Sequence, residues 1–313
     1  MRFVLKKILT LAVTVLAISF IVFLAFSVIP GDPALMLLGG ESDPAKVEAL
    51  RQKMGLNDPV IVQYERWLAA FLRGDMGTSY KYSMPVTRLL ADKVPITLAL
   101  SAEAFLLMVV LSIPLGIYSA KHEGSAADRF LVVCNQVVMA IPPFFSGILI
   151  TYLFGMLLHL FTPGGYVSFR EDLGAFFAYL FFPALAIAIP KIAMAVKLLR
   201  SSVLTESKKD YVRTAYSRGN STNSVLYGHV LKNALLPAVT FFGMAIADMI
   251  AGSIIIEQVF GIPGLGKTLL TSIGNRDYPV IEAIIVLIAV IVVASNVLVD
   301  ILYQVLDPRI EID

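Results

Sequence analysis

The sequence predicts an all-α, polytopic membrane protein with six transmembrane helices and both termini on the cytoplasmic side. Three observations predict it. The first is composition: 58% of the 313 residues are hydrophobic and 15% are charged, where an ordinary soluble domain carries about 25% charged residues. Forty-eight charged side chains are too few to cover a water-facing surface of this size, which excludes an ordinary soluble enzyme and intrinsic disorder. The second is the spacing of six apolar stretches, each near the roughly 20 residues that a helix needs to cross a bilayer. The third is the placement of Lys and Arg, which are concentrated on alternate sides of those stretches. A net charge of +2 gives no reason to expect nucleic acid as a partner. The single cysteine, Cys134, excludes an intrachain disulfide and argues against a Cys-based metal site.

The spans are expected at residues 8–29, 94–118, 130–161, 176–197, 237–257 and 281–303. The first follows Arg2, Lys6 and Lys7 and resembles a signal peptide. Its apolar run of 22 residues is too long for a signal h-region and no A-x-A site follows, so it reads as a retained anchor. With the N-terminus inside, thirteen basic residues fall on the inner side, while the two short outer loops carry only Arg170, Lys267 and Arg276. The long first outer loop holds eight basic and eight acidic residues and does not vote.

Four regions follow from this division. Residues 1–30 form the first transmembrane helix, and 31–93 an extracytoplasmic helical loop. Residues 94–303 form a five-helix core containing a cytoplasmic loop at 198–236, and 304–313 a cytoplasmic tail. The outer loop reads as capped helices: Ser42-Asp43-Pro44 opens one that Gly55 closes, and Asp58-Pro59 opens another that Gly74 closes. Val60, Tyr64, Trp67, Leu68 and Phe71 share a face of the second. Two compatible readings stand, a lid on the outer ends of the spans and a docking surface for a soluble partner that delivers substrate.

Within the spans, charges are rare and mark cavities or partners. Glu103 in span two and Asp248 in span five are expected to line a translocation path, where they would attract a peptide amino group or a metal cation; the alternative is a structural hydrogen bond between helices. Lys191 in span four can snorkel toward the end marked by Arg200. Asp300 lies near the inner end of span six, one turn from Asn296. Gly243, Ala247 and Ala251 give span five a small-residue face for close helix packing. Pro142-Pro143 bends span three, as a gating hinge or as a permanent bend.

The inner loop 198–236 is basic and well capped. Ser207-Lys208-Lys209-Asp210 fits a capping box, a helix runs to Arg218 and stops at Gly219, and Ser221 or Thr222 caps a second helix that leads to Pro237. Tyr211, Val212 and Ala215 share a face of the first helix, Arg213 and Arg218 flank it, and the small residues Ala215 and Gly219 would let another protein approach the backbone closely. The plain reading is an interfacial helix in a positive-inside loop.

The segment Arg213-Thr214-Ala215-Tyr216-Ser217-Arg218-Gly219, followed by Leu235-Leu236-Pro237, resembles the coupling motif E-A-A-x-x-x-G of ABC importer permeases. Arg213 replaces its Glu, Thr214 its first Ala, and Pro237 follows Gly219 by 18 residues, a longer form similar to the dipeptide/oligopeptide/nickel subfamily. Gly31-Asp32-Pro33, Gly55-Leu56, Gly74-Asp75-Met76-Gly77-Thr78-Ser79-Tyr80 and Ile141-Pro142-Pro143-Phe144 resemble the same family. So do Phe260-Gly261-Ile262-Pro263-Gly264-Leu265-Gly266, Arg276-Asp277-Tyr278-Pro279 and Leu306-Asp307-Pro308-Arg309. The resemblance implies a type I ABC importer permease fold in the inner membrane of a bacterium or archaeon. It implies a non-catalytic subunit that pairs with a second, similar permease, with two cytoplasmic subunits that bind ATP and Mg, and with an extracytoplasmic substrate-binding protein. Tyr211, Val212, Arg213, Ala215, Arg218 and Gly219 would then couple to an ATPase groove. The implied substrates are dipeptides, oligopeptides, nickel or metal chelates.

Gly261-Ile262-Pro263-Gly264-Leu265-Gly266-Lys267-Thr268 also matches the phosphate-binding pattern G-x-x-x-x-G-K-[ST] in full. That pattern needs a strand before it and a soluble α/β domain around it. The apolar run 281–299 is far too long for a strand, and span parity places Lys267 outside. Gly261, Pro263, Gly264 and Gly266 are instead expected in a reentrant structural loop at the outer mouth of the path. A stand-alone secondary transporter is a competing class, but no internal duplication is visible. An intramembrane enzyme lacks any H-E-x-x-H or G-x-S-x-G.

Overall fold

A computed structural model describes residues 2–28, 34–35, 38 and 43–306, with side chains from 7 to 299 within those ranges. Gly31-Asp32-Pro33, Ser42, the Asp300 side chain and Asp307-Pro308-Arg309 lie outside the described residues. The described residues contain no strand, and a lone bridge joins Thr78 to Pro85. Five helices are long and apolar enough to cross a membrane: α1 (Arg2–Val28), α5 (Lys93–Lys121), α8 (Leu173–Ser207), α12 (Leu236–Phe260) and α14 (Tyr278–Leu306).

The stretch expected as a third, single span is instead a bent pair. α6 (Ala126–Met139) turns by 107° into α7 (Pro143–Ile150), which continues as a wide helical turn over Thr151–Leu157. Pro142 and Pro143 remove two successive backbone donors, so no helix can run straight through them. Among the described residues, the candidate spans number six if this pair counts as one.

Two compact units make up the chain. The first comprises Met1–Ile96 and Pro263–Ala294. In it, α2 (Pro44–Met54) is capped by the Asp43 carboxylate, which accepts from the Ala45 amide at 3.0 Å. α3 (Val60–Leu72) begins at Pro59, whose ring offers no capping group, and Asp58 before it accepts from Arg66 at 2.7 Å. The aromatic face of α3 packs on α1. Tyr64 and Trp67 meet Phe20 and Phe23 at ring distances of 5.0–5.8 Å, and the Tyr64 hydroxyl bonds Ser19 at 2.9 Å. The loop between α1 and α5 therefore covers one flank of α1 through α3.

Beyond the short helix α4 (Val86–Leu90), the same unit joins two motifs nearly 200 positions apart. The buried Asp277 carboxylate, just before α14, accepts from Ser79 Oγ at 2.5 Å and from the Tyr80 and Lys81 amides at 2.9 and 3.4 Å. Burial, followed by the nearby Glu282 and Asp277 carboxylates, pushes the Tyr80 phenol well above its ordinary value, so it stays neutral. Asp277→Ala leaves the buried Ser79 hydroxyl without its acceptor, at a cost of about 1–3 kcal/mol, and frees two part-buried amides. The variant is expected to melt well below wild type in detergent, with Asp277→Asn between them; an unchanged melting temperature in Asp277→Ala would refute this role.

The second unit comprises Thr97–Ile262 and Ser295–Asp313. Its central helix, α8, contains Pro183 and Pro190. Pro190 has no amide proton for the Ala186 carbonyl one turn earlier. Ser146 of α7 supplies the missing donor, its Oγ reaching Ala186 O at 3.1 Å. Gly243 of α12 lies so close to Val299 of α14 that a Cβ there would collide with the valine side chain. The small-residue face of α12 is thus used within the chain at Gly243.

Near the α5–α6 turn, the Asp128 carboxylate is held on both oxygens. Arg200 of α8 donates through Nε and Nη2 at 2.7 Å each, Ser119 Oγ at 2.5 Å and the Gly124 amide at 2.9 Å.

Candidate functional site

The loop after α8 folds onto the ends of α5 and α8. α9 (Asp210–Ser217) is two turns long and ends at Gly219, whose φ of 82° only glycine adopts without strain. α10 (Thr222–Val225) is capped by Ser221 Oγ, which accepts from the Ser224 amide at 3.3 Å. A wide turn at Leu226–Val230 and α11 (Leu231–Ala234) lead into α12. The expected capping box at Ser207 does not form. α8 runs through Ser207, whose Oγ donates back to Val203 O at 2.7 Å, and Lys209 takes the cap position without a side-chain bond.

Val212 and Ala215 belong to a closed apolar cluster with Ile117 and Ala120 of α5, Val203 of α8, and Val225, Leu226, Val230 and Ala234. Val212 is 1% exposed. Val212, expected among the coupling residues, is thus an attachment of the helix to its own chain, while Ala215 packs inward and also borders the groove described next. Burying this apolar face is the only way a two-turn helix with two apolar side chains inward can be held.

The outward face is carried by Tyr211, Thr214, Tyr216 and Arg218, and Arg213 extends into solvent beside Asp210 at 3.6 Å. A groove of about 290 Å³ is lined by Tyr211, Thr214, Ala215, Arg218, Asn220 and His229. A polar clasp fixes its edge. The Tyr211 hydroxyl donates to Glu206 Oε1 at 2.7 Å and accepts from Asn233 Nδ2 at 3.1 Å, while Lys209 Nζ sits 2.7 Å from Glu206 Oε2. Partial burial raises the Tyr211 phenol above its usual range, and the bond to Glu206 raises the Lys209 ammonium. Glu206, Asn220, His229 and Asn233 escaped the sequence reading. The Glu206/Lys209 spacing of three is a helix-pair signal, but Asn233 lies 22 residues from Tyr211 and had none.

At membrane depth, the Lys191 ammonium of α8 meets the Asp248 carboxylate of α12 at 2.5 Å. Lys191 was expected to snorkel; it is instead the partner of Asp248. The Asp248 side chain is 63% exposed and that of Lys191 20%. Glu103 of α5 is not joined to either, and its buried Oε2 has no hydrogen-bond partner.

The Gly-rich segment, expected as a loop, is in part helical. α12 ends at Gly261, whose φ of 72° closes the helix, and α13 (Leu265–Asn275) begins after Gly264, so Gly266 is helical and only Gly261, Pro263 and Gly264 lie in the turn. The 25 residues before Gly261 are helix, so the strand required by a phosphate loop is absent. The Thr268 hydroxyl is already bonded to Gly264 O at 2.7 Å.

Comparison with known proteins agrees with this architecture. Residues 112–312 match the family described as "Binding-protein-dependent transport system inner membrane component", and residues 1–101 match the N-terminal region of such membrane components. The chain is 38% identical to the oligopeptide transport system permease protein AppB of Bacillus subtilis, over 95% of each chain. It is 33% identical to the probable peptide ABC transporter permease protein y4tP of Sinorhizobium fredii, over 98% of each. It is 32% identical to the glutathione transport system permease protein GsiC of Salmonella typhimurium, over 99% of each. An all-α, multi-pass chain that matches this family over most of its length, and these relatives end to end, belongs to the inner membrane components of binding-protein-dependent transport systems.

Proposed function

We propose that the chain is a non-catalytic, membrane-embedded subunit of an ATP-driven importer of short peptides. It forms the path together with a sister permease. Its N-terminus lies inside, two cytoplasmic subunits bind ATP and Mg, and an extracytoplasmic protein delivers the substrate. The observation that carries this reading is the groove on α9, which is solvent-facing outward and bonded inward to α5 and α8 through one apolar cluster. A push on Tyr211, Thr214 or Arg218 reaches Val212 and Ala215, then Ile117, Ala120 and Val203 at the ends of two spans. Closure of the ATP-binding partners would thereby shift the chain between outward- and inward-facing forms.

The path is assigned to Asp248, with Glu103 as a second acidic position. A carboxylate at mid-span facing hydrocarbon costs about 2.5–3.5 kcal/mol, so the exposed Asp248 is expected to meet water or substrate rather than lipid. Its partner Lys191 makes the site neutral overall. A neutral pair attracts a bare nickel ion less than an acidic site would, and it suits a zwitterionic peptide, which offers an ammonium and a carboxylate together.

The test is uptake by proteoliposomes holding the full complex. Labelled dipeptide is expected to enter only with internal ATP and external binding protein, whereas entry without ATP would indicate a stand-alone transporter. Asp248→Asn is expected to slow peptide uptake about tenfold, and Lys191→Met to act in the same direction, since each leaves its partner's charge unpaired. Transport at the wild-type rate in both variants would remove the pair from the path.

A further inference from the structure

The first unit contains a pocket of about 300 Å³ that the transport cycle above does not use. Phe23 and Phe26 of α1, Trp67 of α3, Tyr80, Tyr278 and Glu282 contribute to its wall. The rings surround it in pairs, with Phe23 5.8 Å from Trp67 and Phe26 5.6 Å from Tyr278. Glu282 lies one turn into α14 and makes no hydrogen bond or ion pair among the described residues. A carboxyl in an aromatic-walled recess is either protonated or joined by a cation, and a cation that enters is bound through the charge it restores. Arg66 also lines the pocket and is bonded to Asp58.

We propose that this pocket seats the ammonium headgroup of a membrane phospholipid, with its nitrogen among the rings against Glu282 and its phosphate toward Arg66. Aromatic faces attract ammonium groups, with several rings acting together as a cage. Two features select a lipid over a soluble amine. The pocket lies beside the last turns of α1 and the first turn of α14, where an apolar helix leaves the hydrocarbon and headgroups begin. The neighbouring surface of α1 exposes Ile21, Leu24 and Val28, an apolar track along which an acyl chain can lie.

Trp67 is the only tryptophan of the chain, so its fluorescence reports the pocket directly. The full chain is placed in phosphatidylglycerol nanodiscs, and phosphatidylcholine with a nitroxide on its choline headgroup is titrated in. Quenching is expected to saturate at a low fraction of labelled lipid. Unlabelled phosphatidylethanolamine should reverse it and additional phosphatidylglycerol should not. Glu282→Gln is expected to weaken the binding about tenfold. Phe26→Leu keeps the carboxylate and removes one ring; a smaller loss is expected there, and this variant tests the site if Glu282→Gln fails to fold. Quenching that rises linearly with label and is equal in wild type and variants would overturn the proposal. Reversal by a dipeptide but not by phosphatidylethanolamine would also overturn it, assigning the pocket to a peptide amino terminus.

Discussion

Arg200→Ala is expected to cost about 3–5 kcal/mol, the range for breaking a buried ion pair by removing one partner. Asp128 is 3% exposed as a side chain, and Arg200 fills both of its oxygens. Without Arg200, Ser119 and Gly124 still donate, but the carboxylate keeps a charge that two neutral donors cannot balance. The α5–α6 turn then loses its tie to α8. Differential scanning fluorimetry of the purified chain should show a clear fall in melting temperature. Arg200→Lys should recover only part of it, since an ammonium cannot bond both oxygens as a fork does. The double variant Arg200→Met/Asp128→Leu should be more stable than Arg200→Ala, because no unpaired charge remains. Equal stability of Arg200→Ala and wild type would remove the pair from the account of the fold.

A second large effect concerns the two faces of α9, whose variants should fail in different ways. Arg218→Glu reverses a charge on the rim of the outward groove without touching the cluster below. The complex is expected to lose at least about tenfold of its peptide uptake, a loss of roughly 1.4 kcal/mol in coupling, while the chain itself melts as wild type. Ala215→Leu adds three carbons to a closed cluster where Ala215 is buried, and overpacking of this kind costs about 1–3 kcal/mol. It should therefore lower the melting temperature as well as transport. Uptake assays beside thermal melts of the same preparations separate the two. If Ala215→Leu kept wild-type stability and lost only transport, the inward placement of that face would be wrong.

The helices and their ends were legible because their signals are local. Apolar runs of helical length announced α1, α5, α8, α12 and α14, and Gly55 and Gly219 stop helices where the sequence placed the stops. The bend at Pro142-Pro143 was expected, but not its 107°, since prolines remove donors without setting an angle. The segment 210–217 was legible as a short helix, but which of its residues turn inward was not. Val212 and Ala215 mark one face of an eight-residue helix, and a face of two small apolar residues suits a partner protein as well as the chain's own core. Only the cluster with Ile117, Val203 and Val230 decides between them.

By itself, then, the sequence determined an all-α, multi-pass permease, because membrane insertion depends on the summed hydropathy of consecutive residues, and chain order preserves that sum. The tertiary structure alone decided which charges meet. Asp128 with Arg200, Lys191 with Asp248 and Ser79 with Asp277 are separated by 72, 57 and 198 positions. Such pairs form where two helices cross or a loop closes on a helix end, and the energy that selects them depends on burial and on distances of a few ångströms. Neither quantity is written in a linear pattern of residue types.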